Sequence, residues 1–318
     1  DPRREARELL DGVHLVVGTP GRLCDHLHRK RLDLSQLKGL VLDEADEMLD
    51  LGFREELEEL LKAAPVERRT ILFSATIPRP IAELAKRYQR EAVRISAGAT
   101  ETAHEDIHSR AHLIAPRERE HVVVNLLRLL EPASALIFCA TRGGVTHLGA
   151  SLSERGFSVV MLSGELSQSE RARALTQLRD GRAQVLVATD VAARGLDLPD
   201  VSLVVHADLP RDSQILQHRS GRTGRAGRKG VSVLLVPAAG RRLATRLLSE
   251  ARIKPEWAKA PSPTEIRAED EKRLIPHLLK LADEVNEEDA ALAVRLLAER
   301  DAGALVAALV RREREKRP

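Results

Sequence analysis

Short apolar runs, each ending abruptly in a polar motif and separated from the next by a helical stretch, recur along this chain. In its first third they are Val13–Val17, Leu40–Leu42 and Thr70–Phe73. Strands that alternate with helices in this way predict a parallel sheet covered on both faces. Function in such sheets gathers where strands end at their carboxyl side. The polar motifs at those ends are Gly18-Thr19-Pro20-Gly21-Arg22, Asp43-Glu44-Ala45-Asp46 and Ser74-Ala75-Thr76.

The acidic motif has two readings. A carboxylate at a strand end holds Mg²⁺, usually through water, in ATPases of the phosphate-loop kind, and an acidic neighbour acts as general base. Carboxylates also simply suit helix N-termini. The Thr19–Arg22 turn is similarly open. Proline just inside a helix start is good capping chemistry, while the free N–H groups of that helix start, with Arg22 beside them, suit a nucleic-acid phosphate.

Composition narrows the choice. The 318 residues suit about two domains, and 43% hydrophobic content fills packed cores. No stretch has the length of an apolar membrane span and none reads as a secretory signal, so no membrane partner and a cytoplasmic location are expected. Cys24 and Cys139 are too few and too far apart for a disulfide framework or a zinc site. Cys139, inside the apolar run Ala135–Ala140, reads as a reduced core thiol. Net charge is only +3, but five Lys/Arg residues and no acid fall between Gln217 and Gly230, interleaved with glycine. Aromatic residues make up 2% of the chain, which argues for backbone contact rather than base stacking if nucleic acid binds.

Past Ser96–Thr102, which lacks periodicity and reads as linker, the scheme repeats. His104, His108 and His112 recur every four residues there, on a helix face or at a solvated strand edge, without companion ligands for a metal. Strands are expected at Ala135–Phe138, Val159–Leu162, Val185–Ala188, Val201–Val205 and Val231–Val236. The motifs beside them are Thr141-Arg142-Gly143-Gly144, Ser163-Gly164, Gln168 with Arg171, Thr189-Asp190, Arg194-Gly195-Leu196-Asp197 and His218–Arg225. Arg222 and Arg225 share a face if their stretch is helical. Arginine suits bidentate phosphate recognition and stabilises charge in phosphoryl transfer.

From about Gly12 to Val236 this ordered set resembles the DEAD-box RNA helicases, ATPases built from two RecA-like domains. The resemblance implies ATP and Mg²⁺ as cofactors and RNA as partner. By position, Asp43 would serve Mg²⁺ and Glu44 the attacking water, with Arg222 and Arg225 at the γ-phosphate. Asp46 would bond toward Gln168 or His218, while Ser74 and Thr76 would link hydrolysis to duplex opening. Gly195 and Asp197 would lie near the nucleotide. Thr19, Gly21, Arg22, Thr141, Arg142, Gly164, Thr189 and Arg194 would hold RNA backbone and 2′-hydroxyl groups. Both domains would close on ATP and RNA, bend one strand and reset after hydrolysis.

The chain also departs from the pattern. No G-x-x-x-x-G-K-[ST] phosphate loop occurs, nor do the family's adenine-reading glutamine segment and first RNA motif. With Asp1 as first residue, the chain reads as a fragment, inactive alone. Leu216 stands where the family often carries an aromatic residue. The resulting division is an incomplete first RecA-like domain over 1–96, a linker over 97–110, and a second RecA-like domain over 111–252. A proline-rich linker over 253–263 and a small all-α segment over 264–318 follow. Trp257 reads as a packing anchor. The terminal helices, expected around Ile266–Ala282, Glu287–Ala298 and Ala302–Arg312, have a core small enough to need a partner surface, which makes 264–318 a candidate for homodimerisation. The other reading of the whole chain is a non-catalytic RNA-binding or dimerisation module.

Overall fold

The structure, a computed structural model, describes residues 2–74, 76–95, 106–193, 201–224 and 227–315. The chain divides into two compact units, Asp1–Ala97 and Gly98–Pro318.

In the first unit α1 (Pro2–Leu10) and α2 (Pro20–His28) precede β1 (Gly39–Leu42), α3 (Ala45–Asp50), α4 (Arg54–Ala63), β2 (Arg69–Leu72) and α5 (Arg79–Tyr88). β1 and β2 pair in parallel, Gly39 opposite Arg69 through Leu42 opposite Leu72. Side chains alternate across a strand, and one face is covered. Leu42, Ala45, Leu57, Leu61, Ile81 and Leu84 form a buried cluster against which Leu40 and Leu72 pack. The alternate residues Val41, Ile71 and Phe73 stay 57%, 38% and 56% exposed. Val13–Val17, expected as a strand, forms none. An apolar run becomes a strand only when a neighbour takes up its N–H and C=O groups, and β1 and β2 pair only with each other. Leu15 and Val17 are accordingly open to solvent.

The second unit contains β3 (Ile107–Ile114), α6 (Arg119–Leu130), β4 (Ala135–Phe138), α7 (Arg142–Glu154), β5 (Val159–Leu162), α8 (Gln168–Arg179) and β6 (Val185–Ala188). Then come α9 (Asp190–Ala193), β7 (Leu203–His206), α10 (Ser213–Ser220), β8 (Gly230–Pro237), α11 (Arg241–Glu250) and β9 (Glu256–Lys259). The sheet runs β5-β6-β4-β7-β8-β3-β9, with every pairing parallel. Helices cover both faces, which is why the central strands read as unbroken apolar runs. Along β4, Ala135 and Ile137 enter the cluster under α6 and α7, while Leu136 and Phe138 enter the one under α8.

Two segments expected as linkers carry strands. β3 begins at Ile107, inside the 97–110 linker, and His108 and His112 lie on it, on a strand rather than a helix; the strand is internal rather than at an edge, and His112 is buried rather than solvated. β9 lies inside the 253–263 linker and pairs with β3, Arg110 opposite Glu256 through Leu113 opposite Lys259. The flanking prolines bound this short edge strand rather than exclude it.

The chain ends in α12 (Pro263–Asp283), α13 (Glu287–Glu299) and α14 (Ala302–Glu315). Ser262 and Glu265 form a capping box at the start of α12. Arg273 donates to the terminal carbonyls of α6 at Arg128 and Leu129 (3.2 and 2.6 Å), docking α12 there together with buried Ile266 and Leu274. Among the described residues, α13 and α14 bury no side chain. No helix among those residues is long and apolar enough to cross a membrane.

A buried polar assembly holds the carboxyl edge of this sheet. Arg219, 3% exposed, makes a fork onto Asp190 through Nε and Nη2, both at 2.7 Å. Its Nη1 donates to the Asp208 carbonyl at 2.9 Å, and its guanidinium lies 5.0 Å from the Phe138 ring centroid. The Asp208 carboxylate accepts from the Ala140 amide (2.8 Å) and Arg119 (2.6 Å). Below it, His206 is fully buried, with Nε2 3.2 and 3.1 Å from the hydroxyls of Ser220 and Ser232. Burial, then the charge of Arg219, pushes its pKa well below the ordinary histidine value.

Removing one partner of a buried ion pair leaves the other uncompensated, so Arg219→Ala should destabilise the second unit by about 3–5 kcal/mol. Arg219→Lys, which cannot reproduce the fork, should fall between. Scanning calorimetry measures both. Because the folded pKa of His206 is lowered, the unfolded chain binds its proton first. Stability should therefore be full above pH about 6.5 and decline below it. His206→Gln should reduce that pH slope by the equivalent of one proton, about 1.4 kcal/mol per pH unit, measured by urea unfolding across pH 5–8.

Candidate functional site

The acidic motif sits where β1 turns into α3. Asp43 and Glu44 are exposed, and the Asp43 carboxylate accepts the Glu44 amide at 3.0 Å. Glu44 adopts a left-handed conformation, φ 51°, which turns the chain sharply. Ala45 N–H then donates to the Phe73 carbonyl at 3.1 Å, and Asp46 is brought inward to 4% exposure.

Asp46 meets the end of β2. Its Oδ2 accepts from the Thr76 amide (2.9 Å) and hydroxyl (2.7 Å), and its own amide donates to Ser74 Oγ at 3.2 Å. The Ser74 hydroxyl donates onward to the Thr76 carbonyl at 2.6 Å. Burial alone would raise the Asp46 pKa, but the bonds from Thr76 and Ser74 outweigh it and hold the group below the usual carboxylate value. Two motifs about thirty residues apart are thus one hydrogen-bonded unit.

At the third motif Thr19 is the N-cap of α2, Pro20 fills its first position, and no side chain caps it. Gly21 follows in the first turn. Arg22 is engaged within the chain: Nε donates to Glu5 at 2.9 Å and Nη1 to Asp25 at 3.3 Å. Hydrogen bonds from Arg22 and then His26 lower the Glu5 pKa to about 2. The sequence pointed to Arg22 but not to Glu5, whose only signal was an acid in an amphipathic helix.

In the second unit the RNA candidates of β4 and β5 converge. Thr141 caps α7 by accepting the Gly144 amide at 3.0 Å. Arg142 pairs with Glu165 at 2.7 Å, and its Nη2 lies 3.5 Å from where a side chain on Gly164 would begin. Arg171 donates to the Gly164 carbonyl at 3.2 Å. Thr189 closes the adjacent strand end, buried, its amide 3.4 Å from the Leu162 carbonyl. Gln168 opens α8, exposed behind the Ser167 cap.

His218 is half-buried on α10. Arg222 lies in the turn beyond that helix rather than on it, its carbonyl accepting Val201 N–H at 3.1 Å. The turn begins because α10 ends at Gly221. Gly224 is required there by φ +68° and by its approach to Ile107, 2.5 Å from the position a Cβ would take. Ala75, Arg194, Gly195, Leu196, Asp197 and Arg225 lie outside the described residues, as does His104. Asp46 belongs to the first unit, Gln168 and His218 to the second. Sequence reading missed Arg219 and Asp208; an arginine one turn beyond Ile215, inside a basic stretch, gives no sign that it is buried.

Comparison with known proteins gives this arrangement a relationship. Residues 1–84 match the DEAD/DEAH box helicase family and residues 118–227 the helicase conserved C-terminal domain. The DEAD-box ATP-dependent RNA helicase CshA of Bacillus cereus is 41% identical over 236 residues, 74% of this chain and 45% of the relative. CshA of Bacillus licheniformis is 37% identical over 262 residues, 82% and 54% of the two chains. The chain spans about half the length of the curated relatives it matches. Among solved structures, S. cerevisiae Dbp5 bound to RNA and ADP BeF3 is 32% identical with a TM-score of 0.70, covering 80% of this chain and 68% of that one. The chain belongs to the DEAD-box family of RNA helicases.

Proposed function

We propose that the chain is the part of an ATP-dependent RNA helicase that couples RNA-stimulated ATP hydrolysis to the opening of short duplexes. The observation that carries this reading is the Asp46–Thr76–Ser74 unit. A displacement of the acidic strand end cannot leave the next strand end unmoved, which is what coupling chemistry to RNA requires.

Mg²⁺ takes hard oxygen ligands, keeps several waters and commonly reaches a protein through one or two carboxylates plus substrate phosphates. Asp43 and Glu44, exposed at a strand end, fit that donor set, and among the described residues no His, Cys, Asp or Glu cluster builds a dedicated cage. Asp43 would hold the ion, which when bound would offset phosphate charge. Glu44 would take the proton of the attacking water. Arg222 and Arg225 would meet the γ-phosphate, with Gly195 and Asp197 near the nucleotide. Asp46 would relay the state of the site to Gln168 or His218. Thr19, Gly21, Arg22, Thr141, Arg142, Gly164, Thr189 and Arg194 would hold RNA backbone, tolerant of sequence. Dbp5, solved with RNA bound, supports RNA as the polymer. Arg22 would have to exchange its Glu5 partner for phosphate.

The phosphate-cradling loop is not among these 318 residues, and we assign it to a segment outside them. The uncovered apolar face of Val41, Ile71 and Phe73 supports that assignment, as does the half-length match to the relatives. Two buried free cysteines suit a cytoplasmic location. A second, structural role is favoured by α13 and α14, where Leu292, Leu296 and Leu309 are 53%, 45% and 41% exposed; we assign this face to a second copy of the chain.

These 318 residues alone should hydrolyse ATP no faster than buffer. In protein that also carries the phosphate loop, RNA should stimulate hydrolysis more than DNA, and Glu44→Gln should lower kcat about 10²–10⁴-fold. Unchanged turnover in that variant would exclude Glu44 as the base. Analytical ultracentrifugation should give a species of twice 35.1 kDa, converted to monomer by Leu296→Glu with Leu309→Glu. A wild-type chain monomeric at every concentration would remove the dimer reading.

A further inference from the structure

Trp257 is the sole tryptophan of an aromatic-poor chain. A lone indole would ordinarily anchor packing, yet this one is 41% exposed on β9, the outermost strand of the sheet. Register sets Trp257 opposite Ala111 and Lys259 opposite Leu113. Ala111 belongs to the cluster under α11, so Trp257 and Lys259, two residues apart, share the α11 face of the sheet. The guanidinium of Arg241, the first residue of α11, lies 5.9 Å from the indole centroid. Leu113 is 40% exposed beside them. The β3 and β9 residues that share this face include no acid. Glu256 belongs to the opposite face, where it pairs with His108 at 3.0 Å and Arg110 at 3.4 Å.

We propose that this sheet edge is an additional contact for single-stranded RNA, separate from the strand-end motifs. A base stacks on the open indole, and Arg241 and Lys259 meet the flanking phosphates. A cationic patch without a ring would accept any polyanion. An exposed ring beside the cations selects a polyanion that brings flat π-faces with its charge. Nucleic acid follows from this patch alone; RNA rather than DNA rests on the helicase reading.

The sole tryptophan is its own reporter. The full chain is titrated with a fluorescently labelled single-stranded oligouridylate, with label anisotropy and tryptophan emission read together. Emission should be quenched as anisotropy saturates. Trp257→Ala should weaken binding about five- to tenfold, Trp257→Phe should recover most of that loss, and Arg241→Glu should lower the salt slope by about one. All three substitutions are on exposed residues, and unfolding curves check that they leave stability intact. Saturating anisotropy with unchanged emission, and wild-type affinity in Trp257→Ala, would overturn the proposal; so would an absence of binding. Arg142→Ala separates this proposal from the strand-end reading. If it binds like wild type while quenching persists, the strand-end RNA assignment falls and the edge contact stands. Equal quenching by a labelled single-stranded oligothymidylate of the same length would keep the site and remove only the choice of polymer.

Discussion

One guanidinium holds the carboxyl edge of the second unit together. Arg219 takes both oxygens of Asp190 beyond β6, the main-chain carbonyl beyond β7, and the aromatic face at the end of β4. The loops after parallel strands leave on the same side of the sheet, and main-chain bonds such as Cys139 N–H to the Ala188 carbonyl reach only one or two residues past the strands. A planar fork of donors can fix the loops' spacing, because each bond constrains angle as well as distance. Thr189 precedes Asp190, and Arg222 follows Arg219 by three residues. The candidate groups for polymer and for nucleotide therefore share a rigid support.

The first unit uses a smaller version of the same device. There the fixing group is a carboxylate rather than a guanidinium, and the donors are the amide and hydroxyl of Thr76. Both devices spend their hydrogen-bonding capacity inside the protein. In the first unit the exposed groups sit beside the buried one, Asp43 and Glu44 next to Asp46. Buried members set geometry, and exposed members are free to meet a ligand.

How much of this was legible depends on burial. β4, β6 and β7 are covered on both faces, so they are apolar apart from His206 at the end of β7, and the strands announced themselves. β3 mixes His108, Arg110 and His112 with Ile107, Ala111 and Ile114, and β9 is Glu-Trp-Ala-Lys between prolines at the sheet edge, where polar residues and prolines are tolerated; in both, the apolar pattern dissolved into linker. Val13–Val17 failed in the opposite direction, because apolarity describes a segment's capacity to pair and not its partner. The strand-end motifs were readable because their chemistry is unusual for a strand terminus. Asp46 could be seen as a motif member but not as the buried acceptor of Thr76, and Arg219 was hidden among neighbours of the same charge. Which of several arginines is internal is decided by the tertiary contacts of α10, and no local spacing encodes them.

The position of β3 sets a timetable for the chain's synthesis. It is the first strand of its sheet to leave the ribosome, yet it lies between β8 and β9, the last two, with Ile107 paired to Gly230. At ordinary elongation rates, the wait between those residues is on the order of ten seconds. The central strands β4 to β7 can assemble meanwhile, since their partners are nearer in sequence. A translation pause before Gly230 would leave a half-apolar strand without a neighbour in the cell, the kind of segment that holdase chaperones retain.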